Sequence, residues 1–131
     1  LEAIPAEACE RLLPFFETVT LNLGDALNRP YQPIKHVYFP ESGMISIVGT
    51  TAEGEAVEAG VVGREGFLGA WALMGVDSTP HENLVQLPGT ARRISAAIFK
   101  KEFDRNEVLR GLALRFIHSL MMQISQTAVC N

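Results

Sequence analysis

The sequence predicts a mainly β fold with added α, an antiparallel β-roll or jelly roll flanked by a short N-terminal helix and a long C-terminal helix. Three observations predict it. Apolar and polar residues alternate in a series of short runs before Gly89, the period of half-buried strands. Eleven glycines and seven prolines punctuate the chain, nearly all of them within or between those runs, as tight turns between short strands require. Past Gly89 only Gly111 interrupts a long series of helix formers. With 131 residues, 47% hydrophobic and 20% charged, the chain has material for one core and not for two domains of ordinary size.

In PAEACERLL, Pro5 takes the first helical position, acids follow in the first turn, and Pro14 closes the run, so a helix is expected from Pro5 to Leu13. Period-two runs come next in VTLNLG, IKHVYF, MISIVGT and EAVEAGVV. The segment AEGEA, Ala52 to Ala56, reads as a hairpin tip around Gly54. In GREGFLGAWALMG the apolar residues are too dense for an exposed strand and too few for an independent helix, which predicts one inserted helical turn. NLVQL and, past a Pro88-Gly89 turn, TARRIS read as a closing pair of strands. Ser95 reads as the cap of a short helix through Phe103. Asp104 with Glu107 reads as the capping arrangement of a much longer helix, from about Arg105 to Val129 and on to Asn131. The chain thus divides into residues 1–103 and residues 104–131.

The long helix is apolar on two faces. Ala113, Ile117, Leu120, Ile124 and Thr127 follow a 4-3-4-3 spacing, while Leu109, Leu112 and Phe116 lie on another side. Two apolar faces need two partners. A small, mostly β domain supplies one, so the first face is assigned to a second copy of the same helix. Burial of both faces in one intramolecular core is the alternative.

A formal charge of −4 gives no basic surface for phosphate backbones, so any DNA contact is expected outside these residues. Cys9 and Cys130 stand at opposite ends with no CxxC or histidine spacing, which reads as two reduced thiols and no metal site. No apolar run approaches the ~20 residues of a membrane span and no signal segment opens the chain, so a cytoplasmic protein without membrane contact is expected. The first residue is Leu1 and the last is Asn131 inside a helical run, so both ends read as interior points of a longer protein.

The ordered glycines carry a resemblance. Gly24 in LNLGD, Gly43 in VYFPESGMISIV, Gly54 in the hairpin, and Gly63 and Gly69 in VGREGFLG, followed by the long terminal helix, resemble the cyclic-nucleotide-binding domain of the Crp/Fnr transcription regulators. The resemblance covers nearly the whole chain. It implies an effector-sensing β-roll, a dimerisation helix (Ala113, Ile117, Leu120, Ile124, Thr127) and a helix-turn-helix beyond Asn131. It also implies an effector pocket at Gly63, Arg64, Gly69, Ala70, Trp71, Thr79, Pro80 and His81.

Here the chain departs from the pattern. In cyclic-nucleotide binders of the family, a glutamate after the cassette glycine takes the ribose hydroxyl, and an arginine followed by a small hydroxyl residue clamps the phosphate. Ala70 follows Gly69 in this chain and offers no acceptor. Where the arginine would stand the sequence reads Ser78-Thr79-Pro80-His81. Burying a phosphate without a paired cation costs several kcal/mol, so a cyclic nucleotide is the disfavoured ligand and the effector is an unknown small molecule or protein. Arg64, Arg92 and Arg93 read as solvated surface charges, His81 as loop and Trp71 as core. An iron–sulfur cluster needs four thiolates, and His36, His81 and His118 are too isolated to favour a haem or other metal site. The competing class is a metal-dependent jelly-roll enzyme of the cupin kind, which needs a histidine pair such as H-x-H that the chain lacks; no catalytic residue is assigned. A regulatory module attached to a kinase or channel is the other alternative.

Overall fold

The computed structural model describes residues 3–130, without the side chain of Cys130. Helix α1 (Ala6–Leu12) is followed by a 3-10 turn at Leu13–Phe15 that contains Pro14. Five strands come next: β1 (Glu17–Leu21), β2 (Ala26–Asn28), β3 (His36–Pro40), β4 (Met44–Thr50) and β5 (Ala56–Val62). A one-turn helix α2 (Ala70–Leu73) precedes β6 (Glu82–Leu87) and β7 (Gly89–Ser95), and the chain closes with α3 (Ala96–Arg105) and α4 (Glu107–Cys130). The predicted antiparallel roll with its short leading and long trailing helices is the observed architecture.

The strands form two antiparallel sheets, ordered β1-β7-β3 and β2-β6-β4-β5. Strands β6 and β7 therefore do not pair with each other, as a closing hairpin would. Pro88 is a crossing from one sheet to the other, with β6 seated between β2 and β4 and β7 between β1 and β3. The crossing meets the β3–β4 turn backbone to backbone. A Cβ on Gly43, at φ +84°, would stand 2.5 Å from the Leu87 carbonyl oxygen, and one on Gly89 would stand 2.4 Å from the Ser42 carbonyl. Both positions need glycine for closeness of approach. The Ser42 hydroxyl accepts a hydrogen bond from the Thr90 N–H at 3.0 Å and completes the corner. The three-residue β2 is too short to show a period and was not predicted.

The long helix starts one step later than expected. Helix α3 runs through Arg105, so Asp104 lies inside it and pairs with Lys100 one turn back. Asn106 is the residue that leaves helical geometry, and its Oδ1 accepts the Leu109 N–H at 3.0 Å. Asn106, and not Asp104, is the cap. Ser95 stands at the α3 N-cap but its side chain makes no capping hydrogen bond. The expected division at 103/104 falls inside α3, and Asn131, assigned to the long helix, lies outside the described residues.

The helix faces are also reassigned. Ala113, Ile117 and Leu120 are buried in the chain's own core, Ile124 packs against that core, and Thr127 borders an apolar groove beside β5. Ala113, Ile117 and Leu120 thus face the roll, the face that the sequence assigns to a second copy. Leu109 and Phe116, from the other predicted face, pack into the same core. What α4 leaves to solvent is a third stripe, with Leu114 44%, Met121 41%, Met122 51% and Val129 80% exposed.

Between α3, α4 and the sheets lies an aromatic cluster. Phe39, Phe67 and Phe99 have ring centroids 5.4–6.2 Å apart, and Phe67 lies 5.0 Å from Phe116 of α4. Helix α1 is fastened to α3 by Arg11, whose Nε and Nη2 donate to the two carboxylate oxygens of Glu102 at 2.9 and 2.6 Å. Such a forked pair is the strong form of an ion pair. Hydrogen bonding to Arg11 holds the Glu102 carboxyl below the usual carboxylate range, against the upward push of its burial.

Phe99 is 1% exposed, and Phe99→Ala is expected to cost about 3–5 kcal/mol in urea unfolding. Because Glu102 is depressed in the folded state, its contribution is complete above its unfolded value of about 4.3 and disappears as pH falls through the lower folded value. Thermal unfolding should therefore lose stability more steeply below about pH 4.3 in the parent than in Glu102→Gln; parallel curves would remove this role from Glu102.

Candidate functional site

The roll encloses a cavity of about 480 Å³, within the range of small-molecule sites. Its inner wall is made by Ile47 of β4, Tyr38 of β3, Phe67 and Leu68 of the segment before α2, and Leu120 of α4. The exposed residues Arg29, Gln32, Pro33 and Lys35, on the loop between β2 and β3, mark its opening to solvent.

Local structure fixes the wall. Tyr38 and Leu68 exchange backbone hydrogen bonds at 3.1 and 2.9 Å, which stitches the segment before α2 onto β3. Directly after this bridge Gly69 takes φ +93°, and a Cβ there would stand 2.5 Å from the His36 carbonyl oxygen. The turn is open only to glycine, and it starts α2 with Ala70 buried and Trp71 half-buried in the cavity wall. The β2–β3 loop is held from the other side. The Tyr31 N–H donates to the Thr79 carbonyl at 2.8 Å and the Ile34 N–H to the Asp77 carbonyl at 2.9 Å. Tyr31 adopts φ +61° to do so, a conformation rare for a non-glycine residue.

The eight pocket residues proposed from the sequence separate into three places. Gly69, Ala70, Trp71 and Thr79 line the cavity. Pro80 and His81 line a smaller cavity of about 260 Å³ with Tyr31 and Thr50, where the His81 Nδ1 is buried without a hydrogen-bond partner. Gly63 and Arg64 are not in the cavity. They open a turn, closed by the Gly66 N–H on the Gly63 carbonyl at 3.1 Å, and Arg64 borders an outer groove with Cys9 and Arg92. The chain turns back into the roll only at Phe67, which is why the earlier cassette residues stay outside. Trp71, expected in the core, packs against both core clusters and also forms cavity wall.

Neither strand arginine lines the cavity, although Arg93 stands opposite Tyr38 on the neighbouring strand. Arg92 pairs with Glu41 at 3.3 Å, and Arg93 pairs with Glu17. His36, at the cavity edge, titrates below its usual value, first because it is partly buried and second because Arg93 lies near. It is therefore neutral at pH 7. Sequence reasoning missed Asn28, Arg29, Lys35, His36 and Asn83 as lining groups. Nothing in their spacing signals a shared site, since β2 and β6 bring Asn28 and Asn83 opposite each other only through sheet pairing. Among the described residues no group of three or more His, Cys, Asp or Glu side chains is placed to hold a metal ion, and no helix is long and apolar enough to cross a membrane.

Helix α4 is tied to the roll beside the cavity. One turn beyond Leu120, the Gln123 Oε1 accepts the Val61 N–H of edge strand β5 at 2.6 Å. Beyond it Ile124, Thr127 and Ala128 form an apolar groove with Val57 and Ala59.

A family model described as the cyclic nucleotide-binding domain matches residues 18–106. Among solved structures, the sensor domain of the transcriptional regulator DNR from Pseudomonas aeruginosa aligns at 20% identity and a TM-score of 0.71, covering 95% of this chain and 82% of that one. The c-di-GMP responsive global regulator CLP of Xanthomonas campestris aligns at 21% identity and a TM-score of 0.68, covering 95% of this chain; this chain spans 60% of CLP's length. The regulatory subunit of a cAMP-independent protein kinase A from Trypanosoma cruzi, bound to guanosine, aligns at 11% identity and 0.71, covering 83% of this chain and 38% of that one. At these identities the likeness is one of fold. No curated protein sequence matches the chain.

Gly69→Ala forces an L side chain into a left-handed turn and against a carbonyl oxygen. A loss of at least about 2 kcal/mol in denaturant unfolding is expected; a change below about 0.5 kcal/mol, the size of an ordinary surface substitution, would show that the turn is not fixed.

Proposed function

The chain belongs to the cyclic nucleotide-binding domain family, and on that premise we propose that it is the effector-sensing and dimerisation part of a Crp/Fnr-type transcription regulator. The roll with α1 to α3, ending at Arg105, acts as the sensor. Helix α4, Glu107–Cys130, acts as the helix that pairs with a second copy and leads to a DNA-binding domain. The setting is cytoplasmic and the role is recognition, with no catalytic residue assigned.

One observation carries this reading: α4 serves the cavity on one side and presents an unpartnered apolar stripe on another. Leu120 is cavity wall, while Leu114, Met121, Met122 and Val129 are exposed, with His118 and Ser125 at helical spacing among them. A stripe of this length along an exposed helix marks a contact surface, and a two-fold pairing of the same stripe is its simplest partner. The dimer face is thus Leu114, Met121, Met122 and Val129, in place of the Ala113–Thr127 face. An effector in the cavity presses on Phe67 and Leu120, and the hydrogen bond from Val61 of β5 to Gln123 of α4 is the point about which the helix shifts. A shift of the paired helices re-spaces whatever they carry.

In sedimentation velocity at micromolar concentration the chain is expected to run as a dimer. Met121→Glu places an unpaired carboxylate in the stripe and should weaken association by about tenfold or more while leaving the circular dichroism unchanged. Ile117→Glu, in the core, should unfold the chain instead. A strict monomer for the parent, or an unaltered dimer for Met121→Glu, would end the assignment.

A further inference from the structure

The chain has lost the family's phosphate clamp but has not lost cations at the cavity. We propose that the cavity takes a flat aromatic molecule bearing one anionic group, carboxylate or phosphate, whose charge is met by Arg29 and Lys35 of the β2–β3 loop. The inference rests on the sensing role proposed above and supplies the chemical class of its ligand.

Charge is the first argument. The chain carries a net −4, yet no Asp or Glu lines the cavity, whereas Arg29 and Lys35 both do. Four cations elsewhere are committed, Arg11 to Glu102, Arg92 to Glu41, Arg93 to Glu17 and Lys100 to Asp104, and among the described lysines and arginines only Arg29 and Lys35 line the cavity. Among the described residues the side chains of Arg29 and Lys35 have no carboxylate partner. Two unpaired cations at the rim of an acid-free cavity make an attractive field for an anion, unscreened from within.

Position is the second. The loop that carries them is anchored by backbone hydrogen bonds to Asp77 and Thr79, the stretch in which the family's arginine would stand. The positive charge has moved across the opening, from the cassette side to the facing loop. Pro30 and Pro33 restrict that loop further. The shape of the wall is the third argument. Tyr38, Phe67 and Trp71 are among the lining side chains and offer flat faces to an aromatic body. Asn28, Asn83 and Thr79 supply neutral polar groups, while Ala70 leaves no acceptor for a ribose hydroxyl. A bicyclic aromatic acid fits both the wall and the patch of charge, whereas cyclic AMP, with the same flat bicycle and single negative charge, brings a ribose hydroxyl that finds no acceptor at Ala70 and a phosphate that finds no cation on the cassette side.

The test uses 2-naphthoate and 2-naphthyl phosphate as anionic probes, 2-naphthamide as the neutral control, and cyclic AMP. Binding to the 131-residue chain is measured by calorimetric titration. The single tryptophan, Trp71, reports occupancy of this cavity by its emission. At least one anionic probe should bind at least tenfold more tightly than the amide and perturb Trp71. Arg29→Gln and Lys35→Gln should each weaken it at least fivefold without changing the amide or the melting temperature, and raising the salt from about 0.05 to 0.5 M should weaken it further. Preference for naphthoate or for naphthyl phosphate identifies the anion. Equal affinity for the amide, indifference of both variants, tighter binding of cyclic AMP, or no binding by any probe at millimolar concentration would each overturn the ligand class. The dimer measurement above is independent of all four, so a failed titration with an intact dimer rejects this inference alone.

Discussion

Phe67 is the contact on which the remaining structure depends. Its ring meets Phe39 of β3, Phe99 of α3 and Phe116 of α4, and its other side is cavity wall. Each aromatic pair adds about 0.5–1.5 kcal/mol beyond the area it buries. The larger effect is geometric. One side chain, delivered by the segment that Gly69 turns into α2, decides how far both C-terminal helices stand from the roll. Gly66 next to it has no room for a Cβ, which would lie 2.2 Å from the Phe116 ring. Helix and cassette are thus packed to contact, and neither moves without the other.

The charges are arranged around that junction and not within it. Arg11–Glu102 ties α1 to α3, Arg93–Glu17 ties β7 to β1, and Arg92–Glu41 ties β7 to the end of β3. The partly exposed pairs contribute little to stability, but they neutralise both arginines of β7. The cavity is left with polar groups of one sign and with neutral amides, which is a matter of recognition more than of folding.

Much of the fold was legible, because period-two runs, turn glycines and capping signals are local properties of the chain. Pairing is not local. The run TARRIS declares itself a strand, but nothing in it says that its neighbours are β1 and β3 instead of β6, and Pro88-Gly89 has the composition of a hairpin turn while acting as a crossing. The α4 faces failed for a related reason. Ile117 and Leu120 on one side, and Leu114 and Met121 on another, have similar spacing and hydropathy, and only the position of the roll distinguishes inside from outside. At the site, Gly69, Ala70, Trp71 and Thr79 were readable from their order, whereas Arg29 and Lys35 are single cations in a proline-containing loop. Their relevance arises from the two backbone hydrogen bonds that lay the loop across the opening.

The crossing at Pro88 also governs the order in which the molecule can be made. Strand β6 is an interior strand of one sheet and β7 of the other, so a nascent chain that has emerged only as far as Thr79 holds β1 and β3 with an empty lane between them, and β2 and β4 likewise. The four-stranded sheet is complete once Glu82–Leu87 has arrived, and the three-stranded sheet only with the stretch directly after it, Gly89–Ser95. Until then, strand edges lie open to any other extended chain, and the contacts that close them span most of the chain, the feature that makes folding slow. During synthesis this protein has one vulnerable interval, and its length is set by the time the ribosome needs to move from β5 to β7.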